Sequence, residues 1–292
     1  MGGSLSPVAR TRNVKRGYRL PPTTYQLMKT ISSRQNPVVQ AFRQLARTPD
    51  PTGARLLLDG AHLVRDARAA GVEIEVAAVA ASRSRGAGEE AEIAQRLHTE
   101  GTTVLRATDQ AFAAMSPVRA PSGIVAIARR RPVDAEAMCG RPDAFVVVAV
   151  DVHDPGNLGS LVRAAEAGGA TGALVCGASA SPFSWKAVRG SMGSILRLPV
   201  CAGLTVDETI RSMRRHGGRI VASAPRDGRA PDAVDWRGRL ALLVGGEGAG
   251  LSDDVLGAAD DLVTIPMAAP VESLNVAVAA AILVYAARRQ RL

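Results

Sequence analysis

Phe145-Val146-Val147-Val148-Ala149-Val150-Asp151-Val152-His153-Asp154-Pro155-Gly156-Asn157-Leu158-Gly159 decides the fold class. Six consecutive apolar residues, most of them β-branched, read as a strand covered on both faces, the habit of a parallel sheet with helices on either side. Pro155 and Gly156 then force a sharp turn, and a helix is expected from about Leu158 to Ala167, ended by Gly168-Gly169. Asn157 stands where an N-cap is expected.

Reading on toward the C-terminus, the same alternation repeats. Strands are expected at 173–176, 219–223, 240–244 and 261–265, and helices at 185–191, 207–216 and 273–289. Loops at the carboxyl ends of such strands are where open α/β sheets take their ligands. Reading back toward the N-terminus, Arg129 to Asp143 is charged and interrupted by proline, and marks a linker over 132–143. Before it the order β-α-β-α-β-α-β fills a small α/β unit over 32–131. Residues 1–31 carry Pro7, Pro21, Pro22 and scattered cations without a sustained period, and read as a flexible basic arm. The expected organisation is therefore arm, small α/β domain, linker and a parallel-sheet α/β domain over 144–292.

The 292 residues are 47% hydrophobic and 22% charged, enough apolar content for two cores and too much for a disordered chain. Aromatic residues make up only 3%, which argues against a nucleic-acid reader built on rows of stacking rings. The formal charge of +9 is uneven: residues 1–50 hold nine Lys and Arg against one acid, and residues 142–292 hold fifteen of each sign. That asymmetry points to a polyanionic partner, because cations that neutralise phosphates supply the sequence-independent part of nucleic-acid affinity; a solvated leader without a partner is the other account. Three cysteines without CxxC spacing argue for a reducing, cytoplasmic setting and against a zinc or disulfide framework. The longest apolar run, Val276 to Ala287, is twelve residues and too short to span a bilayer.

Two further segments carry chemistry. Val244-Gly245-Gly246-Glu247-Gly248-Ala249-Gly250-Leu251-Ser252 is a glycine-rich turn after a strand. It lacks the lysine of a phosphate-binding P-loop and the spacing of a dinucleotide fingerprint, and Glu247 among glycines has no packing role. Ile265-Pro266-Met267 and Glu272-Ser273-Leu274-Asn275-Val276 enter the last helix, with Ser273 the expected cap and Asn275 in the first turn. No metal-ligand cluster or serine-hydrolase elbow occurs.

In this order the three segments resemble the SpoU/TrmH-type RNA ribose 2′-O-methyltransferases of the SPOUT class. The pattern Asp-x-x-Asp-Pro-Gly-Asn-x-Gly-x-x-x-Arg at 151–163 resembles the family's first motif, Gly-x-Glu-Gly-x-Gly-Leu-Ser at 245–252 the second, and Ile-Pro-Met with Glu-Ser-Leu-Asn-Val the third. Lys186-Ala187-Val188-Arg189-Gly190-Ser191-Met192-Gly193 resembles a further family segment. Ser33 to Pro37, Asp59-Gly60 and Pro121 to Ala126 are similar to the small substrate-binding domain that often precedes the catalytic one. Gly246 departs from the family, which more often has Asn or another polar residue there, and a looser loop is expected.

The resemblance implies a knotted (trefoil) catalytic domain and methyl transfer from S-adenosylmethionine to a ribose 2′-hydroxyl, most plainly in large-subunit ribosomal RNA. It implies a catalytic set of Asn157, Arg163, Glu247, Ser273 and Asn275. Cofactor contacts would come from Val244, Gly245, Gly246, Gly248, Ile265, Met267, Ser273, Leu274 and Asn275, and RNA contacts from Arg34, Asn36, Arg163 and Arg189. It also implies a homodimer paired through the knotted region, with no metal and no membrane. Arg163 would stabilise the developing alkoxide, since an ordinary guanidinium stays protonated, and Asn157 would orient Arg163 or the ribose. Transfer RNA as the substrate, a catalytically silent RNA-binding module and a nucleotide-binding metabolic enzyme are the competing readings. The last of these lacks its glycine fingerprint.

Overall fold

The computed structural model describes residues 29–84, 88–248 and 250–292. Nearly all of the expected basic arm lies outside them. Two sheets organise the chain. The first holds β1 (Thr30–Ile31), β2 (Arg55–Asp59), β3 (Glu73–Ala80), β4 (Thr103–Ala107) and β5 (Ile124–Arg129) in the order β1-β4-β3-β5-β2. Its helices are α1 (Pro37–Arg47), α2 (Ala61–Ala69), α3 (Glu89–Thr99) and α4 (Asp109–Met115). All its strands run parallel except β5, which pairs antiparallel with both β2 and β3.

The second sheet holds β6 (Phe145–Val150), β7 (Gly172–Cys176), β8 (Val200–Leu204), β9 (Arg219–Ser223), β10 (Leu240–Gly245) and β11 (Asp261–Val263) in the order β11-β9-β10-β6-β7-β8, parallel at every pairing. Around it lie α5 (Ala135–Cys139), α6 (Pro155–Ala167), α7 (Trp185–Gly190), α8 (Val206–Arg215), α9 (Asp253–Gly257) and α10 (Val276–Arg291).

The parallel α/β reading holds, and its physical basis is visible in β6. Phe145, Val147 and Ala149 enter one apolar cluster with α6 and α10, while Val146, Val148 and Val150 enter another with α5 and α8. An unbroken apolar run is the pattern a strand needs when both faces are covered. Local signals start the helices where they should. Thr108 caps α4, and Thr205 and Glu208 form a reciprocal capping box on α8.

Two expectations need correction, and one strand was not expected. Residues 30–31 form β1 rather than part of the arm, because they add to the edge strand β4 through parallel pairing, a tertiary contact with no local signature. The segment 132–143 is not a bare linker: it contains α5, whose Met138 and Cys139 are buried against the second sheet. Val200 to Leu204 becomes β8 although its composition is weak for a strand; it occupies a sheet edge, where Cys201 and Ala202 are only half-buried.

The two sheets share one apolar cluster, which runs from Leu56 and Leu58 through Phe183 to the core around α6. The Phe183 ring lies so close to Gly53 that a Cβ there would meet it at 2.5 Å. The Arg130 guanidinium stacks 5.0 Å from the centre of that ring and donates to the Val200 carbonyl at 2.9 Å. Arg197 adds a two-pronged ion pair to Glu166 and approaches Asp66 of α2 at 3.9 Å. Phe183→Ala should lower unfolding stability by about 3–5 kcal/mol, the usual cost of emptying a buried aromatic site. Urea denaturation measures it, and an unchanged midpoint would mean that this junction is not packed in solution.

Candidate active site

The pairing of β6 with β10 runs their full length, from Phe145 opposite Leu240 to Val150 opposite Gly245. It delivers the two motif loops side by side. The Gly246 N–H donates to the Val150 carbonyl at 2.7 Å, and a Cβ at Gly246 would stand 1.9 Å from the Asp151 carbonyl oxygen. No side chain fits there. The departure at Gly246 therefore does not loosen the loop as expected: in this chain glycine allows the closest backbone approach in the site. Asp151 itself has φ +54° and accepts from the Ala178 N–H at 2.7 Å, which ties in the loop after β7.

Asn157 is not the cap of α6. Asp154 is, accepting from the Asn157 N–H at 2.7 Å, with Pro155 in the first turn. The Asp-Pro pair carried that signal in the sequence. With the cap role filled one residue before the proline, the Asn157 side chain is free to reach outward. Its amide donates to Glu247 Oε1 at 2.5 Å, and its carbonyl accepts from the Asn275 amide at 2.9 Å. Glu247 also accepts from the His153 N–H at 3.4 Å. Asn275, not Ser273, caps α10, its Oδ1 accepting from the N–H groups of Ala277 and Val278.

Three loops thus meet in one directional chain of hydrogen bonds. Glu247 anchors it. The Asn157 amide, with smaller help from the His153 N–H, holds the Glu247 carboxyl below the usual carboxylate range, so it stays ionised and acceptor-only at neutral pH. An acceptor-only partner leaves Asn157 one orientation, NH2 toward Glu247 and oxygen toward Asn275.

Around this chain the backbone is open. The turn closes on itself through a bridge between Gly246 and Gly250, and Gly248 (φ +94°) and Gly250 (φ +68°) have free space where a side chain would stand. Residues 268–275 are exposed throughout, including Val271 and Leu274.

Comparison with known proteins follows this geometry. The model of the SpoU rRNA Methylase family matches residues 144–285, which span β6 and most of α10. An uncharacterized tRNA/rRNA methyltransferase of Synechocystis sp. is 31% identical over 90% of this chain and 94% of its own length. The 23S rRNA (guanosine(2553)-2′-O)-methyltransferase RlmP of Bacillus subtilis is 30% identical over 88% of this chain and 98% of its own. This chain belongs to the SpoU family. The AdoMet-bound rRNA methyltransferase from Sinorhizobium meliloti superposes with a TM-score of 0.78 at 28% identity, covering 91% of this chain and 99% of that one.

Within the SpoU-family segment, the residues singled out from sequence divide into two groups. Asn157, Glu247 and Asn275 come together. Gly245, Gly246 and Gly248 form the turn beside them, and Val244 is buried beneath as the last core residue of β10. Ile265 and Met267 are half-buried after β11, and Ser273 is exposed without a side-chain hydrogen bond among the described residues.

Arg163 stands apart. It is exposed on α6, six residues or about 9 Å along the helix from Asn157, and makes no ion pair among the described residues. Asn157 makes no hydrogen bond to an arginine among the described residues: its amide donates to Glu247 and its oxygen accepts from Asn275, which leaves one N–H free. Outside the family segment, Arg34 is exposed, whereas Asn36 caps α1 by accepting from the Val38 N–H at 2.9 Å, so its side chain is occupied by the fold. Arg189 is exposed at the end of α7. Gly246→Ala should destabilise the protein by about 1–3 kcal/mol, as forced overpacking does. A melting temperature equal to that of the parent would contradict the close approach to Asp151.

Proposed function

We propose that this SpoU-family chain transfers a methyl group from S-adenosylmethionine to a ribose 2′-hydroxyl of RNA, with large-subunit ribosomal RNA as the substrate. The observation that carries the reading is the hydrogen-bonded chain Asn275–Asn157–Glu247 beside an open glycine turn at the carboxyl end of a parallel sheet. The length-matched likeness to RlmP favours ribosomal over transfer RNA. A silent RNA-binding module is disfavoured by the completeness of the polar set, a carboxylate and two amides aligned across three exposed loops.

The donor chemistry fits the cofactor. Free space before Gly248 and Gly250, backbone groups of Gly245 and Gly246, and apolar side chains of Ile265, Met267 and Leu274 suit an adenosine with a positively charged sulfonium, and Val244 backs the turn. Ser273 and Asn275 would hold its polar groups. Bound there, the cofactor supplies an electrophilic methyl. The chain's own task is to make a poor nucleophile competent. Asn157 and Asn275, held in fixed orientation by Glu247, position the ribose. The Arg163 guanidinium, permanently protonated, stabilises charge developing on the 2′-oxygen.

The knotted trefoil, with the segment after β11 passing through a loop, belongs to this proposal, as does a separate RNA-binding domain over 32–131. That domain is supported by a sheet of its own with an apolar layer against α1 and α4. So does a homodimer. Val278, Ile282 and Tyr285 follow one face of α10 at i, i+4 and i+7 and remain 39–50% exposed, more apolar surface than a solvated helix face carries. A second copy of this chain is the occupant we assign to it. The cytoplasmic setting rests on three unpaired cysteines, of which Cys176 is pushed by burial up to about 11.

Labelled methyl from S-adenosylmethionine should appear as a 2′-O-methyl nucleoside in ribosomal RNA and not in transfer RNA. Arg163→Ala should reduce transfer by about 100-fold or more while cofactor binding stays within twofold of the parent. Turnover equal to the parent would remove Arg163 from the mechanism. Ile282→Glu should convert the dimer to monomer in light scattering, and a monomeric parent would refute the assigned face.

A further inference from the structure

Several arginines where β2, β6 and β9 begin and β5 ends are matched by acids: Arg55 and Arg129 share Glu75, Arg141 holds Asp143, and Arg219 reaches Asp261, while Arg131 and Arg237 stand exposed without an ion pair among the described residues. At the opposite edge of the first sheet three arginines go unmatched. Arg34 follows β1, Arg83 follows β3 and Arg119 precedes β5; all three are exposed, and none makes a side-chain hydrogen bond or ion pair among the described residues. Arg189, at the end of α7, is the same.

The acids of that edge are largely committed elsewhere. Asp109 accepts from the N–H and hydroxyl of Ser82, Asp154 caps α6, Glu247 holds Asn157 and Glu89 pairs with Arg65. Half-buried Glu90 is an exception, near the stem of Arg83 at Gly123. Unmatched guanidiniums gathered on one edge are the electrostatic footprint of a phosphate backbone.

The edge is continuous with the candidate active site. Asp59, buried at the end of β2, feels the positive charge of Arg189. The next residue along α7, Gly190, packs on the first turn of α6, where a Cβ would stand 3.2 Å from the Gly156 carbonyl oxygen, one residue before Asn157. Asp59 also fixes the loop that carries Arg119. It accepts from Ser116 Oγ at 2.5 Å and Ser122 Oγ at 3.2 Å, so one carboxylate grips the loop on both sides of the arginine.

We propose that an RNA strand runs along this edge, its phosphates contacted by Arg34, Arg83, Arg119 and Arg189, so that a ribose arrives beside Asn157. Asp59 is a positioning residue for the Arg119 loop. The inference rests on the reading that the chain acts on RNA, and it assigns the path by which that substrate reaches the site.

The test is binding of the full chain to an in vitro transcript of large-subunit ribosomal RNA across a salt series, without cofactor. Replacing Arg34, Arg83, Arg119 or Arg189 singly by Gln should weaken binding and reduce the slope of log K against log salt by about 0.7–0.9 per contact. Arg129→Gln and Arg141→Gln, from the opposite edge, should leave the slope unchanged. Asp59→Ala separates positioning from charge: loss of an acid alone would tighten RNA binding, whereas release of the Arg119 loop weakens it. Unchanged slopes in the four edge variants, or equal losses in the two opposite-edge variants, would overturn the path even if methyl transfer is observed. Edge variants that lose RNA binding while the parent transfers no methyl would leave the path standing and reject the methyltransferase reading.

Discussion

The contact on which the site depends is the meeting of two backbones where β6 and β10 end. Gly246 donates to Val150 and lies against the Asp151 carbonyl with no room for a Cβ. Everything that follows is geometry inherited from that approach. The glycine turn is brought beside the start of α6, Glu247 comes within reach of Asn157, and α10 begins near enough for Asn275 to close the chain of hydrogen bonds. A turn of larger residues would stand off by the width of a side chain, and a hydrogen bond does not stretch to cover that distance.

The polar chain gains its direction from one charge. Asn amides are ambiguous partners, able to donate from one side and accept on the other, and two in succession allow alternative arrangements. An ionised carboxylate at one end removes the ambiguity, because it only accepts. The helix cap at the other end does the same, since Asn275 Oδ1 is occupied by the N–H groups that start α10. A network fixed at both ends is preorganised, and that is what a site aligning a neutral hydroxyl requires.

The second sheet supplies this site; the first brings a different asset. Its β5 runs against its neighbours, so the loop entering β5 lies at the same edge as the loops leaving β1, β3 and β4. The loops carrying the unmatched Arg34, Arg83 and Arg119 are thereby collected on one side, and the ion pairs of Arg55 and Arg129 with Glu75 fall on the other. The shared apolar cluster through Phe183 then joins that edge to the catalytic sheet.

The chain itself determined the parallel core, the starts of α4 and α8 and the three motif loops, because these rest on local properties: an unbroken apolar run, a capping residue, a glycine turn. The Asp154-Pro155 start was equally local, and only the choice between Asp154 and Asn157 as cap was misread. The partners of Asn157 were a different matter. Glu247 and Asn275 lie 90 and 118 residues away along the chain, and no periodicity reports a contact of that span. The antiparallel β5, the two-residue β1 and the helix inside the expected linker were likewise decided by tertiary pairing and packing. So was the fate of each arginine: composition counts charges, but only the fold determines which of them find an acid and which are left facing solvent.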